Sequence, residues 1–75
     1  MMLHETMIEI ARLGGGLDLD CSKNILFPDT MVAIAKAAAD SGKRPTIIFR
    51  NVPTLFPDTA IKVVTAGQGC VVFAL

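Results

Sequence analysis

Few residues in this 75-residue chain could do chemistry, and most stand alone. Asp18 and Asp20 are two positions apart. On a strand, that spacing puts both carboxylates on one face, about 7 Å apart. Hard cations such as Mg²⁺ or Ca²⁺ take oxygens of this kind, and Lys23 could serve as a polar partner at the strand end. The same pattern also suits a solvated strand face whose charges discourage edge pairing. Gly14-Gly15-Gly16 has the composition of a phosphate cradle, but such cradles join a strand to the N-terminus of the next helix. This run instead follows a predicted helix, and it recurs as Gly67-Gln68-Gly69, which points to helix capping. Cys21 and Cys70 have no Cys-x-x-Cys partner, and a reactive thiolate needs an electropositive neighbour. Core packing suits them better. His4 is the sole histidine. It has no nucleophile beside it, and neither Ser22 nor Ser41 lies in a Gly-x-Ser-x-Gly elbow. Lys23, Lys43, Arg44 and Arg50 flank the predicted first two strands, where they could form a modest anion or RNA patch; solvated loop charge is the plainer account. No catalytic residue is assigned and no cofactor is implied.

Composition narrows the function classes further. Seven basic residues balance seven acidic ones, so no basic face is available to displace counterions from nucleic acid. There is no tyrosine or tryptophan to stack bases. The apolar fraction of 52% excludes a disordered tail. No apolar run approaches the roughly 20 residues that span a bilayer. The first residues lack a basic start and an apolar signal core, so a cytoplasmic location is expected. Two cysteines are too few for a disulfide scaffold.

The elements that must position these residues come from a threefold repeat. Leu3-His4-Glu5-Thr6-Met7-Ile8-Glu9-Ile10-Ala11 aligns with Phe27-Pro28-Asp29-Thr30-Met31-Val32-Ala33-Ile34-Ala35. Both align with Phe56-Pro57-Asp58-Thr59-Ala60-Ile61-Lys62-Val63-Val64. Each unit opens with an apolar residue expected to staple the start of a helix. Pro or His follows, then an acidic residue suited to the positive end of the helix dipole. Met7, Ile10, Ala11 and Gly14 form one apolar stripe at helical spacing; Met31, Ile34, Ala35 and Ala38 form another. The spacing predicts helices over 5–13, 29–41 and 58–66, with strands over 17–21, 45–50 and 70–74. Leu17-Asp18-Leu19-Asp20-Cys21 alternates like a half-buried strand, whereas the other two strands are apolar at nearly every position, as in parallel sheets.

Alternating helices and strands predict an α/β fold of three helix–strand repeats (αβαβαβ). Its parallel three-stranded sheet would have order 1-2-3, with all helices on one face. The chain reads as one α/β repeat domain with units of about 3–26, 27–55 and 56–75. This architecture resembles the leucine-rich-repeat class of solenoid, whose period is about 20–29 residues. Leu17 and Leu19 fit the central pair of its Leu-x-x-Leu-x-Leu-x-x-Asn signature. Asn24 comes two residues late, and position 14 is glycine rather than leucine. Thr46, Ile48 and Asn51 fit the end of the signature. The resemblance implies binding of protein partners on the open face of the sheet.

Facing then decides function. The gap-free alignment of the first and third units pairs Leu17 with Cys70 and Leu19 with Val72. Those four would face the helices, while Asp18, Asp20, Val71, Phe73 and Leu75 would face away. Ile47 and Ile48 are adjacent, so the second strand shows a large apolar side chain to each face in either register. Each exposed large side chain forgoes about 1.5–3 kcal/mol of burial. Strand three, if at an edge, also lacks any charge to deter pairing. The expected function is a small self-associating assembly module, most simply a homodimer. Its expected interface residues are Ile47, Phe49, Val71, Phe73 and Leu75, and a separate protein partner could use the same surface. The alternative is a small enzyme or metal- or ligand-binding protein using Asp18 and Asp20.

Overall fold

The computed structural model describes residues 3–74. Its elements are α1 (His4–Arg12), β1 (Leu17–Asp20), α2 (Pro28–Asp40), β2 (Ile47–Arg50), α3 (Pro57–Gly67) and β3 (Val71–Ala74). Proline fixes two of the helix starts. The residue before a proline is pushed into extended backbone, and Phe27 (φ −77°, ψ 155°) and Phe56 (φ −74°, ψ 140°) adopt it as N-caps. Pro28 and Pro57 then occupy the first helical turn, where a missing N–H leaves no bond unmade. The first intrahelical bonds run from Met31 N–H to Phe27 O and from Ala60 N–H to Phe56 O, both at 3.0 Å. Phe27 and Phe56 do not staple their helices: each is 64% exposed.

The three strands form one parallel sheet in the order β1-β2-β3. Consecutive parallel strands need right-handed crossovers, which place every helix on the same side. Accordingly α1 packs on α2 and α2 on α3. The middle helix is flanked on both sides, and Ala35, Ala37 and Ala38 let its neighbours approach closely. Met7, Met31, Ile34 and Val63 fill the space between the helices and the sheet, where they meet Leu19, Ile47 and Phe49.

The helix ends differ, and the difference sets the phase of the last strand. After α1 and α2 the left-handed backbone falls on Gly14 (φ +94°) and Gly42 (φ +73°). After α3, Gly67 stays helical and Gln68 takes the left-handed position (φ +49°). Gly67 is needed for space: a Cβ there would meet Val71 Cγ2 at 2.5 Å. From helix start to strand start, the third unit (Pro57 to Val71) is therefore one residue longer than the first (His4 to Leu17). A one-residue slip exchanges the two faces of a strand.

Candidate functional site

The register pairs Leu17 with Ile47 and Val71, and Leu19 with Phe49 and Phe73. These six residues point at the helices. Ile47 and Phe49 have no exposed surface, and Phe73 packs its ring on Phe49 with centroids 5.7 Å apart. The expected facing of strand three is thus reversed. Val71 and Phe73 belong to the helix side, together with Ile47 and Phe49, while Leu75 lies outside the described residues. The extra residue between the start of α3 and the start of β3 is the cause. The opposite face carries Asp18, Asp20, Ile48, Arg50, Val72 and Ala74, and no element of the described chain packs on it.

That face is mixed in character. Arg50 donates from Nε and Nη2 to the two oxygens of Asp18, both at 3.1 Å, across the β1–β2 pair. The forked geometry matches guanidinium to carboxylate, and Asp18 raises the Arg50 pKa further. Asp20 accepts from the Ser22 hydroxyl at 2.6 Å and its N–H at 3.0 Å, and from Asn51 Nδ2 at 3.3 Å. The Ser22 hydroxyl, then its backbone N–H, hold the Asp20 carboxyl below its ordinary value. Both carboxylates have protein partners. Among the described residues, no group of three or more His, Cys, Asp or Glu could hold a metal ion. Beside this polar half lie Ile48, Val72 and Ala74, and Val72 is 47% exposed.

The edge formed by β3 is bare. Ile47 N–H donates to Cys70 O at 2.7 Å, and Asn51 N–H to Ala74 O at 3.0 Å. Carbonyls of even-numbered residues thus point inward to β2, so the N–H and C=O groups of Val71 and Phe73 point outward. The helix above continues this edge. Val63 and Gly67 face the core of α3, while Lys62 and Ala66 line a groove shared with α2. At about 100° per residue, Ala60 and Val64 fall on the opposite flank, above the outer side of β3. Val64 is 46% exposed.

A second feature lies at the C-terminal ends of β1 and β2, where ligands enter open α/β sheets. An apolar cleft of about 280 Å³ opens between the two loops that lead into α2 and α3. Cys21, Met31, Val52 and Leu55 line it, with Pro28, Phe56 and Thr59 from the helix starts.

The remaining sequence candidates do not converge. Cys21 and Cys70 are free and buried. Burial, then the charge of Asp20, raises the Cys21 thiol, opposite to an activated nucleophile. Lys43 and Arg44 precede β2, whereas Lys23 and Arg50 lie beyond β1 and at the end of β2, so the basic residues form no single patch. Arg44 is bonded to Gln68 O at 3.1 Å. His4 contacts Thr30 rather than a nucleophile paired for catalysis.

Repeat alignment turns Val72 toward the helices and leaves the facing of Ile48 open, although one signal fixes Ile48. Among the described residues, Arg50 is the only cation within a strand that could answer Asp18 and Asp20. Pairing them puts Ile48, two residues earlier, on the same face. No protein-family model, curated protein or solved structure matches this chain, and no helix among the described residues is long and apolar enough to cross a membrane.

Proposed function

We propose that this protein is a self-associating assembly module whose copies pair through β3. The observation that carries this is the uncharged edge itself: Val71 and Phe73 aim their backbone groups outward, and no lysine, proline or carboxylate on β3 guards them. A twofold axis at Val72 would set two β3 strands antiparallel. Val71 of each copy then exchanges both backbone bonds with Phe73 of the other. Val72 meets its symmetry mate as a non-hydrogen-bonded pair, the close kind, with Cα atoms about 4.5 Å apart. Such pairing joins the sheets edge to edge and keeps all helices on one side, so the Ala60–Val64 flanks of the two α3 helices come together.

Face-to-face stacking is the weaker arrangement. It would desolvate the Arg50–Asp18 pair and the Asp20 carboxylate, a cost that mutual attraction often fails to offset. Edge pairing leaves both in water. It shares with the leucine-rich-repeat class the use of an uncovered parallel sheet, although here the edge supplies the bonds. The two free thiols suit a reducing compartment such as the cytoplasm.

Sedimentation equilibrium at micromolar concentration tests the proposal. The expected mass is twice the 8.0 kDa of the chain. Val72→Lys should return it to a folded monomer, because like charges directly opposite repel. A monomeric wild type, or a Val72→Lys dimer as tight as wild type, would overturn it.

A further inference from the structure

The two junctions between successive units differ at one residue, and the difference leaves a ring-sized space. At the first junction, His4 Nδ1 lies 3.2 Å from Thr30 Oγ1. The His4 ring meets Phe27 edge-on, with centroids 6.5 Å apart. The repeat equivalents at the second junction are Pro28, Thr59 and Phe56. All three line the apolar cleft. Proline has no ring nitrogen to offer Thr59 and no aromatic edge to offer Phe56. The contacts that His4 makes within the chain are thus unmade at the second junction.

We propose that this cleft binds a small planar aromatic molecule with a ring nitrogen, such as an azole or fused azole. The ring would sit beside Pro28, with its nitrogen on the Thr59 hydroxyl and its edge or face against Phe56. Met31, Val52 and Leu55 supply the apolar wall that such a ring requires. The chain supplies the precedent for the chemistry: at the equivalent first junction, an imidazole already occupies these contacts. The cleft lies at the C-terminal ends of β1 and β2, away from the outer edge of β3, so it neither needs nor excludes self-association.

Benzimidazole is the probe, and amide chemical shifts of ¹⁵N-labelled full-length chain are the readout. The expected result is saturable shifts centred on Val52, Phe56 and Thr59. Pro28→His should abolish them, because the new side chain supplies its own ring, as His4 does in α1. Thr59→Val keeps the shape but loses the hydroxyl, and should weaken binding by a few-fold to about tenfold, the worth of one hydrogen bond. Shifts that do not saturate, that centre on the groove between α2 and α3, or that are unchanged in Thr59→Val would overturn the assignment. So would unchanged binding by a folded Pro28→His protein. The Thr59→Val comparison decides the matter should Pro28→His fail to fold.

Discussion

On the open side of the sheet, the β1 edge carries Asp18 and Asp20, and the β3 edge carries Val72 and Ala74 at the same register positions. On the helix side the two strands are alike in kind: Leu17 and Leu19 in β1, Val71 and Phe73 in β3. The edges therefore differ only where a side chain can act on a neighbouring molecule. A carboxylate beside an exposed strand makes a second strand costly to add, because it must be desolvated or set against its own copy. Valine and alanine impose no such cost. In the proposed assembly, charge placement keeps one edge solitary and leaves the other open, with the backbone presenting unpaired groups at both.

Neighbouring residues of β3 give the sharpest test of this contrast. Phe73→Asp puts a carboxylate against Phe49, inside the layer between sheet and helices. It should cost roughly 2–4 kcal/mol, against a total stability of about 5–15 kcal/mol. The expected drop in Tm, followed by circular dichroism, is at least ~10 °C. Val72→Lys, one residue away, should leave Tm close to that of an isolated wild-type subunit while removing association. Equal destabilisation by both variants would mean that β3 has no distinct open side.

The β1 edge offers a smaller effect in the opposite direction. Asp18→Val with Arg50→Val removes the exposed pair and gives position 18 the valine that β3 carries at position 72. The double variant should gain association beyond the dimer, seen as higher-order species in sedimentation velocity. If its mass distribution matches wild type, the carboxylate does not guard this edge.

The smallest expected effect concerns acid. The Asp20 carboxyl is held low in the folded state by Ser22, so it adds stability above the ordinary 3.8 and loses that contribution as pH falls below it, through the depressed folded value. Asp20→Asn should flatten the pH dependence of Tm in this range by slightly lowering the neutral-pH value while leaving the acid end unchanged. An unaltered acid limb would show that the Ser22 bonds do not persist in solution.

Much of this architecture is written in local signals. Phe-Pro at 27–28 and 56–57 forces extended-then-helical backbone, and Gly14 and Gly42 mark ends that only positive φ permits. Helices and strands consequently fall within about two residues of where periodicity places them. The facing of β3 was not legible in the same way. It depends on α3 continuing to Gly67 and on Gln68, a non-glycine, taking the left-handed turn. Helix length here is settled by the close approach of Gly67 to Val71, a contact between elements that repeat alignment does not encode. The cleft was hidden for a related reason. His4 and Pro28 align as equivalent helix starters, and only the packing reveals that one brings a ring and the other leaves room for one.

Amide hydrogen exchange along β3 tests the central claim most directly. The N–H groups of Val71 and Phe73 should be protected in the wild-type protein at micromolar concentration. Their protection should fall on dilution and be lost in Val72→Lys, while the inward-facing amides of β2 stay protected throughout. Rapid exchange of Val71 and Phe73 at every concentration, alongside a protected β2, would contradict it.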